Sequence, residues 1–504
     1  MKKVVALILV VALVFSVFLL AKSIFFPQIA TTEVQPKESC TVYLPPERHV
    51  YDIKANYDGK NKIKAEMNLT YVNDTRDTLT ELYFHLYPNM FSSPKRIPFF
   101  KEDFYRAFPQ GFSSGGIKIQ QVKQDGKDIT WSVIEDSEIL EVELQNSIYT
   151  EDLSNIYIQF ELTVPKARFR FGYQTFGKDK ITLSLGNWYP ILAVYKDGKW
   201  SLDKHQAVGD CTYSDTSDYT VSFTVPKDFT VAASGVLENN YIKNNRAVFI
   251  YSMDRIREFA ATVSNNYQTA SEVIDGIKII SYFHPEDKRG GFMALNVAKY
   301  ALGIFNKAFG KYPYPELRIA EANYYPGGME FPTFIMMDST KYKDPNLSNT
   351  SLERSTAHEV AHQWWYNLVG NDQINEPWLD EGITEFSTAY YFEKRYGQPG
   401  RESYFGRQVD TTVDFIKNNP HHMLDPLPLF ESHREYFAVV YVSGVLFYED
   451  LRNRIGEENL LDFFQSYLET FKYKNVNLEE FKEFLKNKKY EALDESFYDK
   501  WFNP

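Results

Sequence analysis

Two histidines four residues apart, His358 and His362, form the clearest chemistry-bearing pattern of the chain. On a helix, residues at this spacing share one face, so both imidazoles can reach a single metal ion. Glu359 follows the first histidine and lies about 100° around such a helix. It would therefore border the ion without binding it, which is the position expected of a general base that takes a proton from water.

A third ligand for this ion is expected from a second helix. Catalytic zinc takes three protein ligands and keeps one position open. Eighteen residues separate His362 from Glu381, within Pro377–Gly382, where a second predicted helix begins that runs to about Arg395. Two imidazoles and one carboxylate suit Zn²⁺ better than Ca²⁺ or Mg²⁺. We therefore predict one zinc ion per chain, bound by His358, His362 and Glu381.

The helix that carries the histidine pair has a predicted start and end. Thr350 and Glu353 have the spacing of a capping box. Gly370 is a residue type that commonly follows a helix. We therefore expect one helix from Thr350 to about Val369.

The elements around this motif divide the chain into two regions. Residues 48–265 contain short alternating segments, such as Lys62–Leu69 and Tyr219–Val225, separated by turn clusters such as Gln124–Lys127. This pattern is typical of an antiparallel β domain. Residues 266–504 show longer helical periods, which begin near Gly291, and one strand–loop element from Leu317 to Met337. The predicted fold class is α+β and multidomain, with the β domain first and an α-rich catalytic domain second.

The N-terminus carries an apolar run, Val4–Ala21, broken by Ser16 and preceded by Lys2 and Lys3. Its length fits a transmembrane anchor with its N-terminus inside, which we favour, but a cleaved signal segment within 1–23 stays open. Either interpretation places the rest of the chain outside the cytoplasm, with the anchor giving a single-pass membrane protein. Residues 24–47, with four prolines, are predicted to be a linker.

Composition restricts the partners and the metal chemistry. The net charge of −12 and the lack of a run rich in Lys or Arg argue against nucleic acid as a partner. The two cysteines of the 504 residues, Cys40 and Cys211, cannot build a thiolate metal site. A disulfide between them and two free thiols are both open interpretations.

Three motifs in the second region resemble those of one family. The segment His358–Trp365, followed by Trp378–Gly382, resembles the zinc motif of the gluzincin family of aminopeptidase N and leukotriene hydrolase. Upstream, Gly327–Phe331 resembles the G-x-M-E-N loop of that family, and downstream Tyr441–Gly444 resembles its Y-x-K-G motif. The motifs occur in the family's order, and the resemblance covers about residues 320–450.

The resemblance implies a thermolysin-like zinc peptidase domain and a role for each motif residue. His358, His362 and Glu381 would bind zinc, which lowers the pKa of a water molecule and polarises the scissile carbonyl. Glu359 would take the proton of that water and deliver it to the leaving amine. Tyr441 would donate a hydrogen bond to the tetrahedral oxyanion.

The resemblance also implies how a peptide substrate is bound. Glu330 would pair with the free α-amine of the peptide and so select removal of N-terminal residues. Gly327, Gly328 and Met329 would bind the peptide backbone as an added strand. Tyr436 is a weaker candidate for lining the site.

Glu385 lies one helical turn beyond Glu381 on the same face of the second predicted helix. Two interpretations are open. It either contacts a zinc ligand from outside, or it is an ordinary surface carboxylate. We favour the surface carboxylate.

This chain departs from the family pattern at three points. Phe331 stands where the family has Asn, and the amine-contacting Gln of the family is not recognisable in the corresponding stretch Gly186–Pro190. The family's C-terminal helical domain has no counterpart after the catalytic region. We expect a more open site that accepts longer peptides.

Four functions are compatible with these residues. The leading one is a zinc-dependent aminopeptidase that acts on peptides. The alternatives are a membrane-anchored zinc endopeptidase, a binding protein that has lost activity on the same fold, and a lipid-epoxide hydrolase suggested by the family alone. Intact ligands and Glu359 argue against the inactive protein.

Overall fold

The first half of the protein is built from β-strands. The computed structural model describes residues 47–134, 138–343 and 351–503. One short helix, α1 (Lys101–Ala107), accompanies the strands. The strands are β1 (Val50–Tyr57), β2 (Lys62–Val72), β3 (Leu79–His85), β4 (Gly116–Gln124), β5 (Lys127–Asp128), β6 (Trp131–Ile134), β7 (Ile139–Ile148), β8 (Leu153–Thr163), β9 (Phe171–Phe176), β10 (Lys180–Leu185), β11 (Ile191–Leu192), β12 (Tyr195–Lys196), β13 (Lys199–Trp200), β14 (Ser217–Pro226), β15 (Thr230–Ala233), β16 (Val236–Lys243), β17 (Arg246–Ile256) and β18 (Ala261–Ser264).

An eight-stranded sheet in the order β16-β17-β14-β1-β2-β8-β4-β5 dominates this half. Buried and exposed residues alternate along β1, β2 and β8, so one face of the sheet packs on the core. Two four-stranded sheets, β15-β18-β10-β9 and β11-β3-β7-β6, complete it. The β-rich prediction is confirmed, with one correction, because β1 pairs with β14 in parallel.

The second half combines one sheet with most of the helices. A single turn of π-helix, Phe437–Val442, joins α8 to α9. The elements are β19 (Gln268–Ile274), β20 (Ile277–Phe283), α2 (Lys288–Ala308), β21 (Glu316–Ala322), β22 (Gly328–Met329), β23 (Phe334–Asp338), α3 (Ser339–Tyr342), α4 (Ser351–Ala361), β24 (Val369–Gly370), α5 (Trp378–Tyr396), α6 (Gln398–Gln408), α7 (Val413–Lys417), α8 (His433–Tyr436), α9 (Ser443–Ile455), α10 (Glu457–Phe471), β25 (Lys474–Asn475), α11 (Leu478–Asn487) and α12 (Glu495–Phe502).

The sheet of this half has the order β19-β20-β21-β23-β22, so β22 lies at its edge. Strands β20, β21 and β23 are parallel, while β22 runs antiparallel to β23. This order places the Gly328–Met329 backbone at an edge, where it can pair with another extended chain. The sheet begins at Gln268, close to the predicted domain boundary at 266, which stays a prediction.

The helix of the histidine pair is shorter than predicted. Helix α4 ends at Ala361, and the chain then turns, so that Val369 and Gly370 form a strand with β25. The expected helix to Val369 was therefore wrong. Trp364, Trp365 and Leu368 are all buried, so this stretch has no exposed helical face. Thr350, the predicted N-cap, lies outside the described residues.

Arg257, at the end of β17, joins the two halves. Its buried guanidinium donates hydrogen bonds to the carbonyl oxygens of Tyr366 at 2.6 Å and Lys474 at 2.7 Å, and to Asn475 Oδ1 at 2.5 Å. A Cβ atom on Gly370 would lie 2.2 Å from this guanidinium carbon. Glycine is therefore required where the β-rich half docks on the loop after α4.

Two predictions concern residues outside the described part of the chain. These are the anchor or signal segment at 1–23 with the linker at 24–47, and the pairing of Cys40 with Cys211. Cys211 itself is buried. Within the described ranges, no helix combines the length and apolar character needed to cross a bilayer.

Candidate active site

Helices α4 and α5 bring the three predicted ligands together. The Nε2 atoms of His358 and His362 are 3.1 Å apart. Each lies close to Glu381 Oε2, at 3.2 Å and 3.3 Å respectively. Ligands about 2.0–2.1 Å from a tetrahedral zinc ion are separated by about 3.3 Å, so this triangle has the dimensions of a zinc site.

The outer nitrogen of each histidine has its own partner. His358 Nδ1 lies 2.8 Å from Glu385 Oε2. His362 Nδ1 lies 2.9 Å from the Trp365 carbonyl oxygen, which has no proton to give, so Nδ1 donates there. Both partners hold the proton on Nδ1 and leave the Nε2 lone pair directed at the metal position. The interpretation of Glu385 as a surface carboxylate was wrong, because its side chain is completely buried.

The donor atoms fit a zinc ion in a further respect. Glu381 Oε2 is buried and has no hydrogen-bond partner, although it faces two imidazole nitrogens. Its other oxygen, Oε1, accepts a hydrogen bond from the Tyr441 hydroxyl at 2.5 Å. A buried carboxylate oxygen without a partner is costly, and a cation between it and the two histidines removes that cost.

Glu359 lies beside this triangle and against the edge strand. A Cβ atom on Gly328 would come 2.3 Å from Glu359 Oε1, so only glycine allows the carboxylate to lie against β22. Burial raises the pKa of the Glu359 carboxyl to about 7. The predicted base therefore sits between the metal position and the strand where a peptide would pair.

Tyr441 reaches the metal ligands from the π-helix. Its ring stacks on His358, with centroids 5.8 Å apart and an angle of 15° between the rings. The next helix, α9, packs backbone to backbone on α5, since a Cβ atom on Gly444 would lie 2.2 Å from the Gly382 Cα atom. π-Helical turns are rare and frequent at functional sites, and this one points the hydroxyl of Tyr441 at Glu381.

Glu330 lines the same cavity as the triangle and lies near His362. One carboxylate oxygen is within 4.8 Å of a His362 nitrogen. Gln373 donates to its Oε1 at 3.3 Å, and no Lys or Arg nitrogen of the described residues lies within 4 Å of it. Burial, together with the negative charge of Asp210, raises the pKa of Glu330 well above its usual range.

The two departures from the family motifs contact each other. Phe331 is completely buried, and its Cζ atom lies 2.5 Å from where a Cβ of Gly186 would be. Asn187 donates to Glu258 Oε2 at 2.5 Å. The stretch Gly186–Pro190 thus packs under the site and contributes no residue to the cavity wall.

The three predicted metal ligands line a cavity of about 300 Å³ between the two halves. Its wall includes Gly327, Gly328, Glu330, Tyr436 and Tyr441. Met329, which was also predicted to bind the substrate, is buried and does not line the cavity. Sequence reasoning missed several polar residues of the wall, since no local motif marks them. They are Arg106, Arg170, Gln206, Asp210, Lys341 and Arg354.

Two histidines on one helix and a glutamate on a second that could hold a zinc ion, with a buried glutamate in the position of a base beside a cavity, are the features of zinc-dependent hydrolases. The fold agrees with this class. A crystal structure of an M1 zinc metallopeptidase mutant from Deinococcus radiodurans superposes with a TM-score of 0.63, at 16% identity over 90% of this chain and 92% of that one. A second structure of that enzyme, bound to a Tyr-Ser-Ala substrate, gives a TM-score of 0.62 at the same identity and coverage.

Comparison of sequences gives similarity to the same family over part of the chain. Residues 293–501 match the model of the peptidase family M1 domain. Human endoplasmic reticulum aminopeptidase 2 is 26% identical over 263 residues, which are 50% of this chain and 27% of that protein. Leukotriene A-4 hydrolase of Xenopus laevis is 31% identical over 199 residues, 37% of this chain and 32% of that protein.

The chain is therefore similar over residues 293–501 to the peptidase family M1 domain, and the resemblance read from its motifs is confirmed. It spans about 27% to 32% of the length of these curated relatives. The roles of its individual residues stay predictions.

Proposed function

We propose that the protein is a zinc-dependent aminopeptidase that removes N-terminal residues from peptides. One observation carries the choice of aminopeptidase: Glu330 is a buried carboxylate at the cavity wall, without a Lys or Arg partner within 4 Å among the described residues. A buried charge of this kind requires a counter-charge, and the ammonium group of a peptide N-terminus supplies it. The relatives named as aminopeptidases support the same choice.

The edge strand gives the direction of the bound peptide. With its ammonium at Glu330, an extended peptide passes Glu359 and continues towards Gly327. It thus runs antiparallel to β22 and adds to the sheet edge by backbone hydrogen bonds. The first peptide bond then lies opposite Glu359, between Glu330 and Gly327.

Glu359 moves the proton in the proposed reaction. His358, His362 and Glu381 would hold the zinc ion, which would polarise the scissile carbonyl and lower the pKa of a water molecule. The Glu359 carboxylate accepts one proton from this water, whose oxygen forms the new bond to the carbonyl carbon. Glu359 then delivers the proton to the amide nitrogen as the C–N bond breaks, which gives a free amino acid and a shortened peptide.

Tyr441 would stabilise the negative charge that develops on the carbonyl oxygen. Burial, with the negative charge of Glu381 nearby, raises the pKa of its hydroxyl well above the usual range, so the proton stays on the oxygen. A fixed O–H donor in a dry cavity stabilises an oxyanion without reorganisation. The stacking of its ring on His358 keeps this donor in place.

A pair of peptides tests the proposal. A pentapeptide with a free N-terminus should be shortened one residue at a time, and its N-acetylated twin should be hydrolysed at least about 100-fold more slowly, because the acetyl group removes the ammonium. Glu330→Gln should lower kcat/KM for the free peptide by about 100-fold. Mass spectrometry of the products gives both the rates and the bonds cleaved.

Glu479→Gln, on the exposed face of α11, is the matched control and should keep the wild-type rate. Zinc content should be equal in all three proteins. Cleavage of the acetylated peptide at internal bonds as fast as the free one would establish an endopeptidase and remove the proposed role of Glu330.

A further inference from the structure

Four cationic side chains line the cavity, and three of them face a carboxylate. Arg170 is paired with Asp210. Arg354 lies 3.1 Å from Glu385 Oε1. Arg106 lies 3.4 Å from Asp103 Oδ1. The charge of each of these arginines is thus satisfied within the protein.

Lys341 is the fourth cation and lacks such a partner. Its Nζ donates to the hydroxyl of Ser355 at 2.8 Å, and no carboxylate oxygen of the described residues lies within 4 Å of it. Asp338 and Glu359 act on it only over a longer range. Burial, with the positive charge of Arg354 nearby, lowers the pKa of Lys341 to about 8. An anion that entered the cavity would therefore find this ammonium group free to bind it.

The position of Lys341 follows the edge strand. Its Nζ lies 3.8 Å from where a Cβ of Gly327 would be, whereas the next residue, Gly328, faces Glu359. Measured along the edge strand, Lys341 thus lies about one residue further than Glu359 from Glu330. It is on the side towards which the C-terminal part of a bound peptide runs.

We propose that Lys341 binds the C-terminal carboxylate of a short peptide, so that the preferred substrates are tripeptides with a free C-terminus, rather than the longer peptides expected from the sequence. The inference rests on the proposed aminopeptidase function, since Glu330 sets the direction of the peptide. Three residue steps separate Gly327 from Glu330, with β22 between them. At about 3.3 Å per step of extended chain they cover at most about 10 Å, which is the span of an extended tripeptide. A substrate of this length has an ammonium at one end and a carboxylate at the other, which match Glu330 and Lys341.

Matched substrates test the role of Lys341. A tripeptide with a free carboxylate and its C-terminal amide differ only in the group that would face Lys341. The wild-type enzyme should show a kcat/KM about 10- to 100-fold higher for the acid, as expected for one charge-assisted contact. Lys341→Met should bring this ratio close to one, and Lys341→Arg should retain part of it. Lys343→Met, which changes an exposed lysine outside the cavity, should keep the wild-type ratio.

Binding gives a second measurement that does not depend on turnover. In the Glu359→Gln background, calorimetry should give tighter binding of the acid than of the amide, and adding Lys341→Met should remove the difference. Melting curves and zinc content establish that each variant is folded.

Equal rates and equal binding of acid and amide by the unmodified protein would overturn the inference. The inference would also be overturned if Lys341→Met slowed both substrates equally and kept the acid-to-amide ratio of kcat/KM. Lys341 would then act on Glu359 instead. Failure of the aminopeptidase proposal would give a different result, because no peptide would then lose its N-terminal residue. The comparison of acid and amide binding would still test Lys341.

Discussion

Glu385 shows how a residue that touches no substrate can set the chemistry of the site. Its Oε2 lies 2.8 Å from His358 Nδ1, and its Oε1 lies 3.1 Å from an Arg354 nitrogen. The Tyr404 hydroxyl also donates to Oε1. The arginine and the tyrosine hold the carboxylate charged and fixed, and the carboxylate in turn orients the imidazole towards the metal. Glu385 is thus a positioning residue for a zinc ligand.

Replacing this carboxylate should weaken metal binding. Glu385→Gln removes the negative charge behind His358 and breaks the pair with Arg354, so zinc affinity should fall by about 10- to 100-fold. Competition with a chromophoric chelator measures it. Glu402→Gln, on the neighbouring helix α6 and exposed, serves as the control. A zinc affinity within twofold of wild type would show that the contact is only structural.

The sequence alone predicted some residues of the site and missed others. His358, Glu359 and His362 were found because helical spacing places them together. Glu381 was found because a catalytic zinc ion needs a third ligand, for which a second predicted helix begins nearby in sequence. Glu385 has the same spacing, but its burial depends on Arg354 and on a tyrosine of another helix, which no local pattern reveals. Lys341 lies in the short helix α3 and Asp210 in a loop of the β-rich half, so only the folded chain brings them to the cavity.

Helix packing positions Tyr441. Helices α5 and α9 cross where Gly382 and Gly444 meet, so close that a Cβ on Gly444 would lie 2.2 Å from the opposing Cα atom. This contact holds the π-helical turn, and hence Tyr441, against Glu381. The glycine of the Y-x-x-G motif therefore acts through the spacing of two helices rather than through a turn.

Gly444→Ala should separate these helices. The added methyl group meets backbone rather than a flexible side chain, so the free energy of unfolding should fall by about 1–3 kcal/mol. kcat should fall as well, because the Tyr441 hydroxyl moves away from the ligands. Gly406→Ala, in helix α6 with open space around its Cα, should instead leave stability unchanged or raise it by up to about 1 kcal/mol. Equal effects of the two substitutions in thermal melts and assays would contradict this role of Gly444.

Element boundaries were the weaker part of the sequence prediction. The second helix was expected from Pro377–Gly382 to about Arg395, and α5 runs from Trp378 to Tyr396. The first helix was extended too far, because Gly370 was taken as the residue that follows its end, whereas the helix ends at Ala361. What ends it is tertiary: the Gln363 side chain accepts the Thr333 backbone N–H at 2.9 Å, and the loop docks on Arg257.

Residues from both halves of the molecule line the cavity. The β-rich half supplies Arg106, Arg170 and Asp210 to the wall, and the helical half supplies the metal ligands. Sequence patterns give the order of the halves, but they do not contain the register in which the halves dock. The predictions for residues 1–23, a membrane anchor or a cleaved signal and hence a place outside the cytoplasm, stay predictions.

The most direct test of the central claim is a zinc titration of the metal-free protein. Removal of the metal should abolish peptide hydrolysis, and activity should return in proportion to added zinc up to one ion per chain, because His358, His362 and Glu381 together form the proposed zinc site. Glu359→Gln should bind the same one ion while hydrolysing peptides about 100- to 10,000-fold more slowly, since it retains the ligands and lacks the base. Hydrolysis by the metal-free protein, or wild-type rates with Glu359→Gln, would contradict the account.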